Sequence, residues 1–137
     1  MIKVKDIHST HDLLLVASIR RELVINALEE KQNTNVAFDR IVKHLSSLTN
    51  ISQELIMSNT RKREVVDLRH FICHLLLTNY ELNLREVGRF FNGKHHSTII
   101  HGRNLFKNLF KTDEAYKNKV SYWKSHLEDK MQRTFVI

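Results

Sequence analysis

No proline occurs in the 137 residues, and glycine appears only three times, at positions 88, 93 and 102. A chain so poor in breakers can run helix after helix, whereas an all-β architecture would lack the residues that turn strand into strand. Cysteine occurs once, as Cys73, which excludes an internal disulfide and fits a reducing compartment. The apolar run at 13–17 is far too short to span a bilayer. The first six residues, Met-Ile-Lys-Val-Lys-Asp, lack the apolar segment of a secretion signal. A soluble, cytoplasmic protein with no membrane partner is the expectation. No complete Gly-x-x-x-x-Gly-Lys-Ser/Thr motif occurs, and the three glycines read as unsuited to a phosphate loop, so no nucleotide or other cofactor is expected.

What is present is charge, unevenly placed. The formal net charge is +7, and residues 60–111 alone hold ten Lys/Arg against four Asp/Glu, a net of +6. Residues 1–59 balance at seven of each, and 112–137 hold five against four. A basic segment of this kind points to a polyanionic partner, against the plainer reading of a solvated surface.

Apolar spacing predicts an all-α chain. A helix over 11–31, capped by Ser9 or Thr10, would turn Leu13, Val16, Ile19, Leu23 and Ala27 to one face, widened by Leu15, Val24 and Leu28. A break is expected at 31–35, then a helix from near Thr34 burying Val36, Ile41, Leu45 and Leu48. Ser52 can cap a short turn holding Leu55 and Ile56. A longer helix over about 62–79 would bury Val65, Leu68, Phe71, Ile72, Leu75 and Leu76. A final one over about 113–132, starting at Thr112 or Asp113, would bury Tyr116, Val120, Trp123 and Leu127. The implied domains are an N-terminal helical arm, 1–33, and a multi-helix bundle, 34–137.

Between these last two helices lies the most telling stretch, residues 84–103. It reads as a short helix over 83–91 capped by Asn83 with Leu84, Val87 and Phe91 inward, a turn on Asn92-Gly93, and a second helix over about 95–111. Asn-Gly accepts positive φ cheaply, so two helices can cross steeply. Ile99, Phe106, Leu109 and Phe110 would face inward, with Gly102 among them, where a missing side chain lets another helix come close. A helix-turn-helix can push one helix end into the major groove of DNA. At that end stand Lys94, His95, His96, Ser97 and Thr98, which supply donors, acceptors and a methyl group for base edges. Free N–H groups at a helix start also suit a phosphate. Two plainer roles stay open: Ser97 as a helix cap, and His96 packed beneath the turn. Arg61, Lys62 and Arg63 form a second basic cluster suited to a minor groove or a phosphate, or simply to solvent. Arg69, two turns further on, would share their face and grip the backbone.

The segment 61–70, followed by Glu86-Val-Gly-Arg-Phe-Phe91 and by Gly93-Lys-His-His-Ser-Thr-Ile-Ile-His101, resembles the C-terminal DNA-binding domain of the bacterial replication initiator DnaA. The likeness covers roughly residues 34–129. It implies a helix-turn-helix bundle, related in shape to the tryptophan repressor, that binds a DnaA-box-like site in duplex DNA. It further implies that Arg61 enters a minor groove, that His95, His96, Ser97 and Thr98 read bases, and that Arg69, Lys94 and His70 meet phosphates. His101 closes the same motif and joins the candidate DNA-binding set. His95 stands where the family usually has aspartate, and His70 where it commonly has glutamine. A changed preference at the base facing His95 is expected, on the order of 1–3 kcal/mol per altered contact. The family's ATPase module is not legible here, so the chain resembles a stand-alone, nucleoid-associated box-binding domain acting in replication initiation or its control.

Rival readings are narrower. Nine histidines invite a metal site, but His70, Cys73 and His74 have no second cluster at ligand spacing, so no metal is expected. No catalytic grouping follows from spacing, so an enzyme is not expected. A tryptophan-repressor-like regulator is the alternative within DNA binding. A protein-interaction module is the alternative outside it, with the N-terminal helix docking on a replication protein or a second copy.

Overall fold

The computed structural model describes residues 10–137, including the side chains of 14–21 and 33–137. It falls into two units, Met1–Ala37 and Phe38–Ile137. The described residues form helices α1 (Thr10–Thr49), α2 (Gln53–Ile56), α3 (Arg63–Thr78), α4 (Leu84–Phe90), α5 (His96–Thr112) and α6 (Glu114–Met131), joined by turns.

The break expected at 31–35 is not there: the backbone stays helical through that stretch. It contains neither glycine nor proline, and Lys, Gln, Asn and Thr each cost only a few tenths of a kcal/mol in a helix, too little to end one. In the first unit Leu14, Leu15 and Ile19 are exposed and Val16 is half-buried. Leu13, Leu23, Val24, Ala27 and Leu28, expected on its apolar stripe, and the caps Ser9 and Thr10 lie outside the described side chains. Val36, expected inside, is 51% exposed. It precedes Phe38 by two residues, about 200° around the helix, and Phe38, Ile41, Val42 and Leu45 take the inward face.

The core of the second unit gathers every helix from Phe38 onward. α3 packs against α2, α4 and α5, and α5 packs against α3, α4 and α6. All six expected α3 residues are inside, spaced at the three- and four-residue intervals of one helical face. Phe71 meets Phe106 and Trp123 at ring-centroid distances of 6.4 and 5.7 Å, joining α3 to α5 and α6. At the rim of this contact the buried Asp67 carboxylate accepts from the Lys119 ammonium. The expected caps hold. Ser52 Oγ accepts from the Leu55 N–H at 3.1 Å, and Asp113 Oδ1 from the Tyr116 N–H at 3.0 Å.

Phe135, like Phe38 and Val42, is a core residue that was not foreseen. Gln132 adopts φ 50°, ending α6, and the chain folds back so that Phe135 is buried. Its N–H donates to Glu128 Oε2 at 2.8 Å.

Candidate nucleic-acid interface

The turn between α4 and α5 is built from both sides. Asn83 Oδ1 accepts from the Glu86 N–H at 2.9 Å, and Glu86 Oε1 accepts from the Asn83 N–H at 3.5 Å, a reciprocal cap that starts α4. At its far end Phe91 and Lys94 both donate their N–H to Gly88 O, at 3.1 and 3.0 Å. Asn92 and Gly93 take φ values of 61° and 71°, as the sequence leads one to expect.

Gly88 is a site residue that sequence reasoning passed over. The Lys94 carbonyl folds back directly onto its Cα, leaving no room for a Cβ. Gly88 and Gly93-Lys94 do have the five-residue offset of a phosphate loop, contrary to the reading of the glycines above. Here Gly88 lies inside a helix, that helix rather than a strand precedes the turn, and His95 occupies the Ser/Thr position. The spacing serves a tight interhelical turn.

At the start of α5, His95, His96, Ser97 and Thr98 are all exposed, and so is His101 one turn on. Lys94 is half-buried. Burial, reinforced by the neighbouring Arg69 charge, pulls its ammonium below the usual lysine range. His96 does not pack beneath the turn; its ring lies against that of His95, centroids 4.0 Å apart. Nor does Ser97 cap the helix. The cap is His95, in extended backbone, whose Nδ1 accepts the Ser97 N–H at 3.2 Å. An imidazole lone pair here does the capping service that an aspartate carboxylate would do.

The basic loop before α3 sits beside this helix end. Asn92 Nδ2 reaches across to donate to Met57 O at 2.7 Å, tying the interhelical turn to the loop. Arg61, Lys62 and Arg63 are exposed.

Arg69 departs from expectation. Only 6% of it is exposed, so it is no free backbone grip. Its Nε donates to Ile56 O and its Nη1 to Thr60 O, both at 2.7 Å. Two longer contacts from Nη2 reach Leu55 O and Ser58 Oγ, at 3.4 and 3.5 Å. The guanidinium thus pins the loop that carries Arg61. Nor do Arg61 and Lys62 share a helical face with it, because both precede α3.

His70 is half-buried over Gly102, where a Cβ would meet its Cδ2 at 2.8 Å, so Gly102 permits the α3–α5 approach foreseen from sequence. Burial lowers its pKa, and its Nδ1 has no hydrogen-bond partner. Between loop and helix runs a groove of about 590 Å³ whose lining includes Arg61, His70, Lys94, Thr98 and His101. Cys73 lies at its floor; burial raises its thiol to about 12, so the sulfur is protonated and inert. Among the described residues no group of three or more His, Cys, Asp or Glu converges on a metal position, and no helix is long and apolar enough to cross a membrane.

Comparison with known proteins bears on this geometry. A family model described as the bacterial dnaA protein helix-turn-helix matches residues 38–105, from the first core residue of α1 through most of α5. The chain is 31% identical over 97 residues to the chromosomal replication initiator protein DnaA of Ureaplasma parvum, covering 71% of this chain and 21% of that protein. Against the protein of the same name from Borreliella burgdorferi it is 27% identical over 112 residues, 80% of this chain and 23% of the relative. Against that from Bacteroides thetaiotaomicron the identity is 23% over 107 residues, 78% and 23% of the two. The chain thus spans about a fifth of the length of these curated relatives. No solved structure matches it.

Proposed function

This chain belongs, through residues 38–105, to the bacterial DnaA helix-turn-helix family, and from that premise we propose that it binds specific sequences of duplex DNA. The site is DnaA-box-like, and the role lies in replication initiation or its regulation. The start of α5 enters the major groove, where His95, His96, Ser97 and Thr98 meet base edges. Arg61 enters the adjacent minor groove, with Lys62 and Arg63 beside the phosphates. Lys94, His70 and His101 border the groove between these two contacts. Arg69 acts indirectly, by holding the loop. Residues 34–137 form the binding domain in this reading, and residues 1–33 an arm for self-association or for docking on a replication protein.

The observation that carries the reading is the exposure of four consecutive polar residues at one helix start, bound through Asn92 and Met57 to a loop that leads into three exposed cations at the start of α3. A buried helix start would have left nothing to read bases.

Selection of bound fragments from random duplexes tests it. The full chain should enrich one motif, and replacing His96, Ser97 and Thr98 together with alanine should erase it while residual, salt-sensitive binding persists. Recovery of random sequence by the unaltered chain refutes the proposal.

A further inference from the structure

The Ser97 backbone N–H points at His95 Nδ1 from 3.2 Å. A backbone amide can only donate, so Nδ1 must offer its lone pair and carries no proton. The imidazole is therefore held as the Nε2–H tautomer. Ser97 Oγ lies 2.8 Å from the same Nδ1. With Nδ1 unprotonated, that contact is also a donation to it, and the hydroxyl keeps only acceptor capacity for anything outside. The cap thereby assigns opposite roles to two exposed side chains: His95 presents a donor and Ser97 an acceptor.

From this we infer that His95 is a specificity-determining residue that reads an acceptor edge in the major groove through Nε2–H and rejects cytosine. This rests on the duplex-binding reading above and deepens it. Cytosine offers only its N4 amino donor in the major groove, which would face the Nε2–H donor to donor. Guanine offers N7 and O6, both acceptors, and is the preferred base at this position. The two Ser97 contacts to Nδ1 orient the His95 ring, and the His96 ring tilted against it, centroids 4.0 Å apart, narrows how far it can swing.

His95→Asp separates capping from reading. Aspartate is a good cap, so α5 should start as before. A carboxylate, however, only accepts, so the preference at that one position should swing from guanine to cytosine. Parallel selections from random duplexes with the unaltered chain and His95→Asp read this directly. The expected result is a shared motif differing at one base pair, with at least roughly tenfold preference for guanine over cytosine in the unaltered chain and the reverse in the variant. Motifs identical at every position overturn this assignment and leave DNA binding standing. No motif from the unaltered chain overturns both. An independent check needs no DNA: nitrogen-15 spectra of the folded chain near neutral pH should show His95 Nδ1 unprotonated and Nε2 protonated. The opposite pattern refutes the tautomer and the inference with it.

Discussion

Arg69 shows how a single residue can look like an interface and serve as an internal brace. From the sequence it is one more cation in a basic segment, and nothing in helical spacing distinguishes a surface arginine from one facing a preceding loop. Only the fold reveals that the Ile56 and Thr60 carbonyls lie within 2.7 Å of its guanidinium. Arg69→Ala would leave those acceptors without their partner. The expected outcome is a loss of stability of about 3 kcal/mol, seen in urea unfolding, rather than a uniform weakening of duplex binding by an otherwise sound protein. His74 supports a second prediction at this scale. It is 4% exposed, stacked on Phe106 at 4.3 Å, and neither ring nitrogen has a hydrogen-bond partner. Burial, with a smaller push from Lys107, lowers its pKa from 6.5 to about 4. The unfolded chain therefore binds the proton more readily between those values. Stability from this group is whole above the unfolded pKa and falls as pH drops through the window toward 4, by up to about 3 kcal/mol. His70, lowered in the same direction, adds to the slope. His74→Phe should flatten the dependence of urea midpoints on pH between 6.5 and 4; an unchanged slope would show that His74 is not buried neutral.

At the level of elements, α2 to α6 were largely legible, α2, α4 and α6 from a capping side chain at their starts and α3 and α5 from their apolar spacing. Ser52, Asn83 and Asp113 all cap where their side chains suggest, and the six apolar α3 residues expected inside are buried, together with Asp67, Arg69, Cys73 and His74. The stretch 31–35 misled because polar residues resemble a loop, yet without a breaker the helix simply continues. Phe135 escaped because a lone aromatic after a helix has no periodicity to betray its burial. Gly88 escaped for a related reason: what demands glycine is the Lys94 carbonyl six residues later, not any local conformation. Gly88→Ala should therefore be costly although alanine favours helices. The Lys94 carbonyl must move, and with it the hydrogen bond from Lys94 N–H to Gly88 O that sets the α4–α5 turn. A lowered melting temperature together with loss of sequence-selective binding is the expected result. A variant that gains stability, as helix propensity alone would give, contradicts this turn geometry.

For the whole molecule, the charge distribution and the family membership agree. Residues 60–111 carry a net +6 of the chain's +7, and that segment holds the loop, the turn and most of α5. If Arg61, Lys62, Arg63 and Lys94 each neutralise a phosphate, affinity should fall roughly a hundredfold between about 50 and about 200 mM salt. A salt-insensitive association would instead mark a protein-interaction module. The exposed tetrad His95 to Thr98 was legible in the sequence, whereas the cap that orders it and the role of Arg69 as the brace beneath Arg61 required the fold. The central claim is that α5 reads sequence through its amino end. Titrating the full chain against its best selected duplex and a scrambled duplex of equal composition, at physiological salt, tests it most directly. The expected result is a preference of at least roughly a thousandfold that collapses when His96, Ser97 and Thr98 are replaced by alanine; equal affinity for the two duplexes would contradict it.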